Sequence, residues 1–488
     1  MGVLRSMILL KSLFFIGIIV VSFLISNGFR LRNKYTGSDA YFHYQAAEQL
    51  RKNHLKPYNQ IEVYIVRSPS DYPPLIHYIL ALLPQSKLVS WGRFFGSFFD
   101  VCNKGLVFLI SYLLTDNSII SLVAMAIYSC IVLISQEQIE ASPRSLGSLI
   151  FTMHMLMLVL YGNTPHWIYL AIAVFCVFLS YITHRFAFQT VVFTNIFLSL
   201  YFKNPIPIAI LFLGIIISIV ILRKHFFLLW RSMISTYSIW FKMRNVKKIG
   251  KRGYSKILIS CTESFLFNHI DLLVLFLIIS GFNVPSYLSF FIIYMIFLRI
   301  MQILVFSFKE LKCIGEHFRY LAYNAAPASL VLSYLIVTYS QSRILVSMVI
   351  LSNIVSLIAL FLWQREYKKS KFYFPDEGTI TSLKKIAKIT TGGNLLVLDY
   401  PYARNVGYLT KKRVFFTLSQ RYFYIVKELL WPTKPLEETI KMNRITDILV
   451  HRSVEQKYTL KKVKKTYQDD YFSLYKVLNA KKFTGFIP

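Results

Sequence analysis

Residues 205–222 read PIPIAILFLGIIISIVIL, eighteen positions without a charge. A helix of about 20 apolar residues is long enough to cross the ~30 Å hydrocarbon core of a bilayer. Similar runs lie on both sides of this one. Toward the N-terminus they cover about 187–202, 166–182, 145–161, 118–134, 91–114 and 7–27. Toward the C-terminus they cover about 257–280, 286–307, 325–340 and 344–363. From Gln364 onward such runs stop. The expected fold is therefore an α-helical polytopic membrane protein of about eleven spans over residues 1–363. A basic, water-soluble domain follows over 364–488.

Composition supports that reading. Only 16% of the residues are charged, against about a quarter in soluble globular proteins, and mean hydropathy is +0.50. The formal net charge is +32. In a membrane protein such an excess first signifies flanking Lys and Arg that face anionic lipid headgroups. A phosphate-bearing substrate is the second reading, and no nucleic-acid partner is expected. The five cysteines, Cys102, Cys130, Cys176, Cys261 and Cys313, are scattered singly in or beside apolar runs. Without a CxxC or a Cys/His cluster, neither a disulfide framework nor a zinc site is indicated.

Arg5 and Lys11 precede an apolar stretch ending at Ile25, with no small-residue cleavage site after it. It reads as a retained first helix that starts in the cytoplasm. Odd-numbered spans then end outside. A polar segment over 28–90 forms a first external loop, too long for a simple connection and expected to be structured. Residues 223–256 hold ten Lys and Arg, interleaved with Phe226, Phe227, Trp230 and Trp240. That mixture predicts an amphipathic helix at a membrane surface.

The C-terminal domain reads as α/β. Strands are expected at 394–399, 413–418, 445–451 and 471–478, and a helix at 420–430. Gly392-Gly393 stands before the first strand rather than after it, so it is no dinucleotide fingerprint. No phosphate-binding loop of the nucleotide type is present.

Five polar clusters stand out against the apolar background. Gly37-Ser38-Asp39-Ala40-Tyr41-Phe42-His43-Tyr44 places an acid just beyond the first span. A carboxylate near a bilayer is costly unless solvated, paired or metal-bound. Asp39 could bind a divalent cation or take a proton from an attacking hydroxyl. The structural reading is that Ser38 or Asp39 caps a helix over 40–52. Asp71-Tyr72-Pro73-Pro74-Leu75 joins an acid to a rigid helix start, with His77 one turn on. Glu137 and Glu140 are spaced for one helix face, and could work with Asp39 as acids or simply pair with Arg144. His184 and Arg185 sit in a very short connection, as headgroup anchors or as a phosphate grip. Glu316, Arg319 and Tyr320 precede the tenth span. Glu316 could pair with Arg319, and Arg319 could instead meet a lipid-linked phosphate.

On these motifs the chain resembles the GT-C membrane glycosyltransferases, which use polyprenyl-phosphate-linked sugars. GSDAYFHY at 37–44 looks like the acidic motif of that family's first external loop, in the style of oligosaccharyltransferase catalytic subunits. DYPPL at 71–75 looks like a motif of members that use dolichyl-phosphate sugars. SPRSLG at 142–147 and GEHFRYL at 315–321 are similar to segments of prokaryotic members. The resemblance implies a multi-pass plasma (inner) membrane glycosyltransferase of the inverting type with an extracytoplasmic C-terminal domain. It would move a sugar from a polyprenyl-phosphate-linked donor to a glycan, lipid or protein acceptor. Asp39, Glu137 and Glu140 would be its catalytic acids. Asp71, Tyr72, His184, Arg185, Glu316, Arg319 and Tyr320 would contact substrate or lipid phosphate, and a divalent cation (Mg or Mn) would be held, if at all, at Asp39. Two departures stand. No Trp-Trp-Asp-Tyr-Gly motif is present, which argues against glycosylation of peptide sequons, and no second Asp adjoins Asp39. A transporter or flippase of lipid-linked sugars is the competing class, although no internal repeat of the transporter kind is evident.

Overall fold

A computed structural model describes residues 2–32, 37–131, 134, 141–246, 269–308, 311, 314, 319–369, 375–390, 393–398, 400–416, 436–458 and 460–478. In chain order the helices are α1 (Gly2–Arg32), α2 (Ser38–Lys52), α3 (Leu75–Ala81), α4 (Phe95–Thr115), α5 (Ser118–Cys130) and α6 (Arg144–Asn163). Next come α7 (Trp167–Thr183), α8 (Arg185–Tyr201), α9 (Ile206–Leu222), α10 (Lys224–Val246), α11 (Ile270–Ile279) and α12 (Ser286–Ser307). Then follow α13 (Arg319–Ala322), α14 (Ala325–Thr338), α15 (Arg343–Lys369) and α16 (Glu377–Ile389). The last part alternates: β1 (Asn394–Val397), α17 (Tyr400–Thr410), β2 (Arg413–Val414), α18 (Leu436–Met442), β3 (Ile445–His451), β4 (Val463–Gln468) and β5 (Phe472–Val477).

The chain forms two compact units. One holds residues 1–31, 94–226 and 237–366; the other holds 32–93, 227–236 and 367–488.

The first unit is helical and apolar. Among the described residues, α4, α6 and Ser286–Val305 of α12 are each long and apolar enough to cross a membrane. The pair α9 and α10, sharply bent at Arg223, passes the same test together, and six shorter apolar helices accompany them. This is a polytopic membrane fold. The eighth expected span, 257–280, is described only from His269 onward. Local chemistry sets the breaks. Asp116 adopts a left-handed φ of 47°, and the Asn117 side chain then caps α5 by accepting from the Ile119 amide at 2.9 Å. Gly214 lets α9 lie against α7: a Cβ there would stand 2.5 Å from Val177 Cβ and 3.0 Å from the Val174 carbonyl. Several polar groups inside this unit pair with one another, which lowers the cost of burying them away from water. Lys104 pairs with Asp100 one turn earlier on α4 at 2.5 Å and donates to Ser22 Oγ at 3.0 Å. His154 meets the Ala173 carbonyl at 3.2 Å and the Asn195 amide at 3.0 Å.

The second unit is built on a mixed sheet in the order β2-β1-β3-β5-β4. β1 runs parallel to β2 and β3, while β5 runs antiparallel to β3 and β4. Gly393 begins β1 at φ 125°, where a side chain would collide with Thr446. The first loop joins this sheet. Val414 donates its amide to the Val63 carbonyl and Ile65 donates to the Val414 carbonyl, both at 2.9 Å, so residues 63–65 extend the edge beside β2. The expected strands at 394–399, 445–451 and 471–478 are present as β1, β3 and β5. The strand expected at 413–418 shortens to the two residues of β2, and the helix expected at 420–430 lies outside the described residues. β4, α16, α17 and α18 were not legible beforehand. The cap expected at Ser38 or Asp39 is instead Gly37, with no side-chain cap bond.

Candidate functional site

In the membrane unit, the ends of α6, α8 and α13 bring cationic side chains together. Arg144 opens α6 after Pro143, and His184 closes α7 and opens α8 in extended conformation. Arg319 opens the four-residue helix α13. With Ser148, Phe186, Ala322 and Tyr323 they line a narrow recess of about 10 Å³. The Phe186 ring is a shared platform: the Arg319 guanidinium lies 4.7 Å and the Arg185 guanidinium 5.0 Å from its centre. Such stacking holds each planar guanidinium by its face. Gly147 permits the close fit of α6, since a Cβ there would come within 3.0 Å of Ala187 Cβ and 3.5 Å of His184 Cβ. Tyr320 is turned away and donates to the Ile314 carbonyl at 3.3 Å, so it is not part of this lining. Glu137, Glu140 and Glu316 lie outside the described residues.

The same unit carries an open apolar groove of about 510 Å³ along α1, α5 and α15, lined among others by Phe14, Ile18, Val21, Ala126 and Leu357.

In the second unit, Asp39 sits in the first turn of α2 and its Oδ1 is bonded by Nη1 of Arg404 on α17. The Arg404 guanidinium also lies 5.5 Å from the Phe416 ring and 6.0 Å from the Phe42 ring. Burial pulls its pKa down to about 10, so it stays charged at neutral pH. The contact continues along both helices. Tyr41 and Tyr44 pack on Tyr408, and Lys411 pairs with Glu48 at 2.9 Å. Gln45 donates to the Arg404 carbonyl at 3.2 Å. One face of α2 is thus matched, in step, to α17.

Beside Asp39, one turn on, His43 Nδ1 meets His77 Nε2 at 2.9 Å. Both rings are buried, and Tyr72 and Phe42 pack against them. Burial lowers the His77 pKa to about 3. Asp71 is 2% exposed. Burial, with the Asp71 carboxylate beside it, holds the Tyr58 hydroxyl well above its ordinary range. Asp71 therefore faces the interior next to a phenol.

A divalent cation needs several hard donors converging at about 2.0–2.6 Å. Among the described residues no three His, Cys, Asp or Glu converge in that way, and Asp39 already faces a guanidinium. The described donors do not by themselves fit a metal.

Arg404 and Arg144 are the functional candidates that sequence reading missed. Arg144 was visible as a partner for nearby glutamates and within SPRSLG at 142–147, without a role of its own. Nothing in the sequence links Asp39 with a residue 365 positions away.

The fold has counterparts among solved proteins. It superposes on the oligosaccharyltransferase of Archaeoglobus fulgidus, solved in complex with Zn and sulfate, with a TM-score of 0.61 at 11% identity. That match covers 90% of this chain and 68% of the other. It also superposes on ArnT from Cupriavidus metallidurans bound to undecaprenyl phosphate, with a TM-score of 0.53 at 9% identity over 94% of this chain and 97% of that one. No family model and no curated protein matches the sequence.

Proposed function

We propose that this protein is an inverting membrane glycosyltransferase that moves a sugar from a polyprenyl-phosphate donor to an acceptor hydroxyl outside the cytoplasm. The observation that carries the reading is the recess between Arg144, His184 and Arg319, a cationic site at helix ends in an apolar unit. A phosphate on a lipid tail is the anion that chemistry suits. The apolar groove offers room for a prenyl chain. The ArnT neighbour, bound to undecaprenyl phosphate, supports the choice of lipid.

In the proposed reaction the acceptor oxygen attacks the anomeric carbon, and the bond from that carbon to the phosphate oxygen breaks. The electron pair leaves with the polyprenyl phosphate, where the guanidinium groups of Arg144 and Arg319 offset the growing charge. Asp39 takes the proton from the acceptor hydroxyl. Arg404 holds the Asp39 carboxylate in one orientation. Tyr72, packed against His43 and His77, is kept as a substrate contact in this proposal.

The test uses the full-length protein in nanodiscs or vesicles with a labelled undecaprenyl-phosphate sugar. Label appearing on a new acceptor, and its loss in Arg319→Ala, support a transferase. Intact labelled carrier crossing the bilayer without transfer would make the protein a flippase. Asp39→Asn keeps the side chain's shape and removes the base. Unchanged turnover in that variant sinks the role given to Asp39.

A further inference from the structure

The recess has a support inside the membrane unit that the reaction does not use. α13 (Arg319–Ala322) leads into α14 through Tyr323 and Asn324. Asn324 stands directly after Tyr323 of the recess and ties this junction to its neighbours. Its amide donates to the Leu321 carbonyl at 3.1 Å, and its carbonyl accepts from Ala328 at 3.0 Å. The side chain is completely buried. Its Nδ2 donates to Asp271 Oδ2 on α11 at 2.8 Å and to the Met295 carbonyl on α12 at 3.3 Å.

Asp271 is itself fixed. Arg299 of α12 grips both of its oxygens, with Nε to Oδ2 at 3.0 Å, and Arg299 Nη1 reaches Gln302 at 3.4 Å. A carboxylate buried in apolar surroundings is tolerated when paired and hydrogen-bonded, as this one is. A fork-to-fork pair already neutralises both charges. The bond to Asn324 adds no neutralisation, but it ties the α13–α14 junction to two neighbouring helices.

We infer that Asp271 and Asn324 are positioning residues for the phosphate site: the Asp271–Arg299 pair holds Asn324, and Asn324 sets the Arg319–Tyr323 rim. This rests on the reading of the recess as a lipid-phosphate site. Neither residue touches the ligand; both act through Arg319 and Tyr323.

The experiment measures binding of undecaprenyl phosphate to the full-length protein in nanodiscs. Arg319→Ala, Asn324→Ala, Asp271→Asn and the double variant Arg319→Ala/Asn324→Ala are compared, with melting temperatures recorded alongside. Asn324→Ser serves if the alanine variant does not fold. Asn324→Ala and Asp271→Asn are expected to weaken binding on the order of tenfold, the scale of energies within one network. The double variant is expected to bind no more weakly than Arg319→Ala alone, because Asn324 acts through that arginine. If Arg319→Ala binds as wild type, the phosphate reading itself falls, and this inference with it. If Arg319→Ala weakens binding while Asn324→Ala and Asp271→Asn do not, only the positioning role is overturned. Multiplicative losses in the double variant overturn it too, since they signify a general structural effect.

Discussion

Asp39 and Arg404, 365 positions apart in the chain, are ion-paired through Oδ1 and Nη1. The acid of the first loop thus depends on a helix of the C-terminal domain for its orientation. The pair is partly open to solvent, with Asp39 43% exposed, so breaking it costs little stability, about 1 kcal/mol or less. Arg404→Met is therefore expected to cut sugar transfer at least tenfold with a melting temperature close to wild type. Arg404→Lys, which keeps the charge but not the planar fork, is expected to restore little of the activity. Steady-state transfer assays and thermal melts check both, and full activity in Arg404→Met would sever Arg404 from the reaction.

His77 makes stability depend on pH. Its folded pKa is about 3 and its unfolded value is near 6.5. Between those values only the unfolded chain takes up the proton, so stability falls as pH drops from about 6.5 toward 3. Above 6.5 the group contributes no slope. The advantage of wild type over His77→Asn in melting temperature is expected to be constant at pH 7–8 and to shrink by pH 5. A constant difference across that range would contradict the burial of a neutral ring.

The Asp100–Lys104 pair is buried on both sides, at 3% and 1% side-chain exposure. Removing one partner strands the other charge, at a cost of about 3–5 kcal/mol, whereas removing both avoids that penalty. Lys104→Met is expected to melt well below Asp100→Leu/Lys104→Met. Equal melting temperatures would show that the pair does not carry its charges in the folded state.

Gly214 meets the backbone and a β-branched side chain of α7, neither of which can rotate aside. Gly214→Val is expected to lower stability by about 1–3 kcal/mol through overpacking, read as reduced yield of monodisperse protein and a lower melting temperature. Gly17, which has open space around it, provides the control substitution.

Period and hydropathy made the membrane unit legible, because a lipid-facing helix declares itself in local composition. The span at 205–222 and the strand at 445–451 fall where the residues alone place them. The chemistry was legible only in part. Asp39 and Arg319 announce themselves as charges beside apolar runs. Arg404 does not, since a lone arginine in a polar domain looks like ordinary surface. β4, with Lys464 and Lys465 exposed on an edge, lacks the alternation by which strands are recognised.

The short pairing of residues 63–65 with β2 has a consequence for biogenesis. Tyr64 leaves the ribosome 350 residues before Val414, its bridge partner. Synthesis proceeds at about 5–20 residues per second, so the early loop waits tens of seconds with an unmatched edge. Truncation anywhere before the second strand of the sheet strands that loop, and quality control acting on nascent chains would meet it as a half-built surface.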